Sequence, residues 1–449
     1  MTRDTAAGVR TRSRLRRPVG RAAVTVLAGL GLFGAVVPEA GAAVAPPREY
    51  RVAAQASTGT GTDPAGADPV DADSAVDASA GADSAALNQA LRAIVEQGGS
   101  SAALAQVRQD GRVLWRDAAG AADLASGAPA SADGRFRIGS VTKTFVATVV
   151  LQLVAEHRLA LDDPIERHLP GVVPNGGAIT VRQLLNHTSG LFNYTEDPSF
   201  ALDDESAVRD WLKSGRWTAY RPQQLVTLAT GHAPYFAPGQ GWHYSNTNYI
   251  LAGMLIQRTT GRSWAEEVER RIIRPLGLKS TSMPVNSPFV PGPHAHGYFK
   301  LPDGPADATL LNPSMGGSAG AGISTTADLT RFNAALLGGR LLRPAELAEM
   351  KRTVEAGPGY AYGLGLIRYR TSCGELWGHT GGIPGYGTVV AGDAAAHRQL
   401  ALSYNPYDLS DPDAADRTMG TLVDTAACGA TADSAPAHHS LLAPGQLPR

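Results

Sequence analysis

Lysine is scarce in this 449-residue chain, with five among 40 basic side chains, at positions 143, 213, 279, 300 and 351. With so few, a chance Ser-x-x-Lys pattern is less frequent than in a Lys-rich protein. Cysteine is scarcer still, limited to Cys373 and Cys428. No run beyond residue 42 reaches about 18 apolar residues, so no membrane span is expected there. No fixed-period repeat is visible, which sets repeat arrays aside. An excess of charge of either sign is also missing. The formal net charge is −1, and beyond residue 42 there is no basic patch of the kind that nucleic acid requires.

What is present first is a leader. "RTRSRLRRPVGR" is a basic stretch, "AAVTVLAGLGLFGAVV" an apolar core of 16 residues, and "EAGAAVA" a run of small residues suited to cleavage. Residues 1–42 therefore read as an export signal and the mature protein as secreted into the cell-wall space, the alternative being a retained signal anchor. No cysteine stands beside the cleavage region to carry a lipid. The leader holds seven Arg and two acidic residues, so its loss takes the formal charge from −1 to −6. Residues 43–84 form an acidic tether: positions 53–86 hold six Asp, no basic residue and no aromatic. Such a segment cannot bury enough apolar surface to offset ordering. Residues 430–449 look similar. One folded unit is expected over 85–429. Both cysteines lie beyond the export signal, where an even pair favours a disulfide over two buried thiols.

"ALNQALRAIVEQ" has helical spacing, and "SAALAQVRQDGRVLWRDAAG" reads as a hairpin turning at Asp110-Gly111. "TVRQLLNHTSGL", "NTNYILAGMLIQRTTG" and "TTADLTRFNAALLGG" are helical, and "YGLGLIRY", "GELWGHTG", "GYGTVVAGD" and "RQLALSYN" read as strands. Early strands, a helical middle and late strands imply an α+β domain. Its antiparallel sheet is built from both chain ends, with flanking helices and an inserted, mostly helical subdomain.

One lysine is out of place. In "RIGSVTKTFVATVVLQLV", Lys143 is the sole charge between Val141 and Val154, on a helix apolar on nearly every face. Lysines are rarely buried unless paired, and cations are disfavoured at the positive end of a helix dipole. Ser140 precedes it at i−3, on the same face. A serine hydroxyl needs a base, and a desolvated amine is one. The plain alternative is that Ser140 caps the helix and Lys143 reaches out to solvent.

Two further stretches bear on that choice. "GWHYSNTNYILAGM" places Tyr244 and Asn246 at a helix start, and "WGHTGGIPGYG" runs His379, Thr380, Gly381 and Gly382 along a strand. Glycines in a strand are costly unless a ligand backbone approaches closely, and here they would let a substrate lie along the strand edge. In this order, Ser-x-x-Lys, Tyr-x-Asn and His-Thr-Gly resemble the penicillin-recognising serine hydrolases, over roughly residues 85–429. "LLNHTSGL" and "SAGAGISTTADL" also look like segments of that family. The resemblance implies an antiparallel β-lactamase/transpeptidase fold and an acyl-enzyme route. Ser140 would be the nucleophile, Lys143 or Tyr244 its base, and Tyr244 a proton relay to the leaving group. Asn246, His379, Thr380, Gly381 and Gly382 would bind substrate, the carboxylate end lying on His379 and Thr380. The N–H groups of Ser140 and Gly382 would hold the oxyanion. The variant motifs and the pair Cys373 and Cys428 look most like a secreted D-alanyl-D-alanine carboxypeptidase acting on peptidoglycan stem peptides, with β-lactams as covalent inhibitors or substrates. A β-lactamase, esterase or D-amino-acid amidase of the same family is the alternative. No metal or organic cofactor is implied.

Rival patterns exist. "GGSAG", Gly316 to Gly320, fits a G-x-S-x-G elbow around Ser318, but that elbow needs a strand before it and a helix directly after. His294 and His296 form an H-x-H pair without an acidic partner at ligand spacing. Arg368 and Arg370 share one face of an expected strand and could bind a carboxylate. A non-catalytic cell-wall or β-lactam-binding protein should have lost a member of the constellation, and none is missing.

Overall fold

The computed structural model describes residues 81–371 and 373–429. The expected export signal, nearly all of the acidic tether and the C-terminal tail lie outside the described residues. The first helix, Gly81–Glu96, begins slightly before the expected boundary. Next come strands Ser100–Gln109 and Arg112–Asp123. Asp110 and Gly111, with φ of 49° and 81°, supply the left-handed pair that a two-residue hairpin turn demands.

Nine strands form one antiparallel sheet. From one edge their order is Ala128–Pro129, Arg112–Asp123, Ser100–Gln109, Arg398–Pro406, Tyr386–Asp393, Gly374–Ile383, Ile367–Thr371, Tyr360–Tyr362 and Val354–Gly357. Early and late parts of the chain thus meet inside the sheet, where Val107 is opposite Leu400 and Leu104 opposite Ser403.

Alternation gives the sheet two apolar faces. Ala103, Ala105, Val107, Leu400 and Leu402 pack on Leu91 and Ile94 of the first helix and Met419 and Leu422 of the last, Pro412–Cys428. Leu104, Val390 and Ala401 pack on the other side, towards the helix Thr142–Ala155. Eleven of that helix's 14 residues are buried, as its all-round apolar sequence requires. Phe145 stacks on Phe332 of helix Thr326–Leu337, with ring centroids 3.6 Å apart.

Between early and late strands lies the helical region, including Val181–Leu185 and Asn246–Thr260, the latter closed by Gly261 at φ 76°. Cys373, at the turn before Gly374–Ile383, is bonded to Cys428 at the end of the last helix, with Cα atoms 5.7 Å apart. "YGLGLIRY" departs from expectation. It is two strands joined by a turn, with Gly363 N–H on the Leu366 carbonyl. The turn presses on the Thr142–Ala155 helix, where Thr144 Oγ1 donates to the Gly365 carbonyl at 2.8 Å. A Cβ on Gly365 would lie 2.6 Å from that of Ala147, so a straight, side-chain-bearing strand does not fit.

Candidate active site

Ser140 lies in a tight turn, Gly139–Val141, that leads into the Thr142–Ala155 helix. The helix has no side-chain cap, so Ser140 is not spent on capping. Lys143 does not reach solvent either, being 0% exposed. Its Nζ lies within hydrogen-bond distance of three oxygens: Ser140 Oγ at 2.8 Å, Asn246 Oδ1 at 2.7 Å and the Ala319 carbonyl at 2.8 Å. No carboxylate is among them. Burial therefore holds the Lys143 pKa well below its ordinary value. A neutral amine has two N–H donors and one lone pair. The Asn246 and Ala319 oxygens can only accept, so when Lys143 is neutral its lone pair is left for the Ser140 hydroxyl. This is the arrangement a serine nucleophile needs from its base.

Asn246 opens its helix and is held on three sides. Its backbone N–H donates to Asn193 Oδ1 at 2.9 Å, and its Nδ2 to Thr195 Oγ1 at 3.1 Å. That leaves Oδ1 for the lysine. The Tyr244 ring centroid lies 4.9 Å from Lys143 Nζ. Across from the serine, Gly381 and Gly382 run against the turn. A Cβ on Gly139, whose φ is 48°, would lie 2.7 Å from Gly382 N, and one on Gly381 would lie 2.1 Å from the Ile138 carbonyl. Only glycine permits this approach of two backbones.

A cleft of about 160 Å³ opens over Ser140, Tyr244, Asn246 and Gly382. Tyr194, Phe200, Leu202, Met315 and Ile383 make its walls largely apolar. His379 and Thr380 do not line it; both side chains are buried, and Gly382, Ile383 and Pro384 form that wall. His379 Nδ1 sits 2.5 Å from the Thr380 carbonyl, an obligate acceptor, so this nitrogen carries the proton. Nε2 then accepts from the Tyr362 hydroxyl at 2.8 Å. Burial, then the charge of Lys143, pushes the His379 pKa down to about 3. The imidazole is neutral at physiological pH and its polar atoms are engaged.

The arginines suggested for a carboxylate are elsewhere. Arg368 lies 3.5 Å from both Glu355 and Glu375, and neither Arg368 nor Arg370 lines the cleft. Ser318 lacks the context of an elbow, since the short helical turn Pro313–Met315 precedes it. Its hydroxyl donates to the Tyr249 carbonyl at 2.8 Å. The segment matters instead through the Ala319 carbonyl on Lys143, a contact that no side chain in the sequence announces. His296 Nδ1 meets Asp307 at 2.8 Å. Among the described residues, no group of three or more His, Cys, Asp or Glu is placed to hold a metal.

Comparison with known proteins follows the same lines. Residues 87–421 match the Beta-lactamase family. A solved D-stereospecific amidohydrolase from Streptomyces sp. is 42% identical, with a TM-score of 0.69, covering 77% of this chain and 99% of its own. Penicillin-binding protein 4* of Bacillus subtilis is 29% identical over 302 residues, which is 63% of this chain and 63% of that protein. The esterase EstB of Burkholderia gladioli is 31% identical over 296 residues, 58% of this chain and 74% of its own. The buried Ser140–Lys143 pair thus sits in a fold and a sequence that agree, and this chain belongs to the β-lactamase family of serine hydrolases.

Proposed function

We propose that this serine hydrolase cleaves amide or ester bonds of apolar D-amino-acid derivatives through an acyl-enzyme on Ser140, and that it acts outside the cytoplasm after export. Ser140 Oγ attacks the carbonyl carbon as Lys143 Nζ takes its proton. The oxygen that becomes negative lies between the N–H groups of Ser140 and Gly382. The Tyr244 hydroxyl passes a proton to the leaving nitrogen, and Asn246 holds the substrate amide while fixing Lys143. Water, activated by the same groups, then releases the acid.

The observation that carries the choice of substrate is the charge of the cleft. Its lining has no Arg, Asp or Glu, His379 is neutral, and the one lysine behind it is engaged with Ser140. A D-alanyl-D-alanine carboxypeptidase needs a cation for the terminal carboxylate, and this lining offers none. A neutral amide or ester leaving group fits it better. Apolar walls suit an apolar acyl side chain, whose burial contributes roughly 1.5 to 3 kcal/mol. Preference for the D-configuration rests on the likeness to the Streptomyces amidohydrolase.

Steady-state kcat/KM should be compared on an aromatic D-amino-acid amide, its L-enantiomer, a D-Ala-D-Ala peptide, a cephalosporin and a short-chain ester. The D-amide should rank first. A D-Ala-D-Ala peptide ranking first would restore the carboxypeptidase reading, and fast cephalosporin turnover would point to a β-lactamase.

A further inference from the structure

His187 lies in the "NHTSG" turn after helix Val181–Leu185, completely buried, and does not line the cleft. It adopts φ 63°, a left-handed backbone conformation that side-chain-bearing residues seldom take. Its contacts converge on one place. The His187 carbonyl accepts from His243 N–H at 3.1 Å, and its Nδ1 accepts from Ser245 N–H at 3.1 Å. These two bonds bracket Tyr244. Asn248 Nδ2 also approaches Nδ1, at 3.2 Å, while Asn248 Oδ1 accepts from Ser189 Oγ at 2.6 Å. A backbone N–H can only donate, so Nδ1 is the bare nitrogen and Nε2 carries the proton. The imidazole ring then lies 4.3 Å from the Tyr244 ring, on whose face Lys143 Nζ sits at 4.9 Å.

We infer that His187 is a positioning residue for Tyr244: it grips the backbone on both sides of the tyrosine and supports its ring, holding the phenol beside Lys143. This rests on the role proposed above for Tyr244. His187 touches no reacting atom and acts only through its neighbour. A displacement of the tyrosine by about 1 Å is of the size that costs roughly 10²-fold in rate.

The test is a double-mutant cycle on the full chain with the best amide substrate, reading kcat, KM and melting temperature. Tyr244→Phe should lower kcat by about 10² to 10⁴-fold. His187→Ala should lower kcat by about 10 to 100-fold with KM nearly unchanged, and should add little in the Tyr244→Phe background. His187→Asn should recover most of kcat, because its amide oxygen can take the place of Nδ1 and Asn tolerates a positive φ. Effects of His187→Ala and Tyr244→Phe that multiply, or a change confined to KM, would overturn the inference while leaving Tyr244 in place. A Tyr244→Phe variant with wild-type kcat would instead remove the proposed role of Tyr244. If His187→Ala does not fold, His187→Gln replaces it. The Gln amide is one carbon too far, so a kcat equal to that of His187→Asn also defeats the inference.

Discussion

At the scale of single residues, the chemistry depends on a lysine whose pKa is held well below its ordinary value. Lys143 has neutral oxygens for all three partners, so its low pKa comes from burial rather than from a cationic neighbour. Lys143→Ala should slow acylation by about 10² to 10⁴-fold. Ser140→Ala should abolish the covalent adduct that a penicillin forms, and Ser318→Ala should leave that adduct in place. Intact-protein mass spectrometry with peptide mapping, run beside a hydrolysis assay, distinguishes these outcomes. An adduct mapped to Ser318 would contradict the Ser140 assignment. Much of this site was legible. A lone lysine in an apolar helix, with a serine at i−3, is a conflict between sequence and stability that buried catalysis resolves. What stayed hidden were partners without a side-chain signal, such as the Ala319 carbonyl. His379 was legible as part of a motif but not as a neutral group, because its charge depends on burial, which the motif does not encode.

Among the secondary-structure elements, the Gly374–Ile383 strand is what brings the cleft walls together. Gly381 and Gly382 let it lie against the Gly139–Ser140 turn, and a Cβ at Gly381 would meet backbone rather than a movable side chain. Gly381→Ala should therefore reduce acylation severely while costing less in global stability, which parallel penicillin-labelling rates and denaturant melts would separate. If labelling stays at the wild-type rate, the close approach is unnecessary. Most strands and long helices could be read from periodicity, and the hairpin at Asp110-Gly111 from its turn residues. The "YGLGLIRY" stretch could not, since Gly365 answers to a helix more than 200 residues away in sequence. Local pattern carries no record of such a partner.

For the whole molecule, two features set how stability responds to its surroundings. The Cys373–Cys428 bond closes a loop of 55 residues, worth about 4 kcal/mol on the chain-entropy view. A Cys373→Ser, Cys428→Ser double variant should unfold at a lower denaturant midpoint by that order, and dithiothreitol should lower the wild type likewise. Linked peptides in a non-reduced digest would report the bond directly. The second feature is the buried neutral imidazole of His379, whose pKa falls from 6.5 to about 3 on folding. The unfolded chain then binds more protons than the folded one across that interval, so stability contributed by neutral His379 is lost as pH falls from 6.5 towards 3. His187, shifted in the same direction, adds to the loss. Equilibrium denaturation at several pH values should give a flatter acid limb for His379→Gln than for the wild type. The first and last helices lie together on one face of the sheet, and a Cβ added at Gly429 would come within 3.5 Å of Asp83. The enzyme is in this sense a nearly closed ring: residue 429 could be spliced to residue 83 by a few glycines and the chain recut at the exposed Ser126-Gly127 turn, leaving the order of contacts around Ser140 untouched.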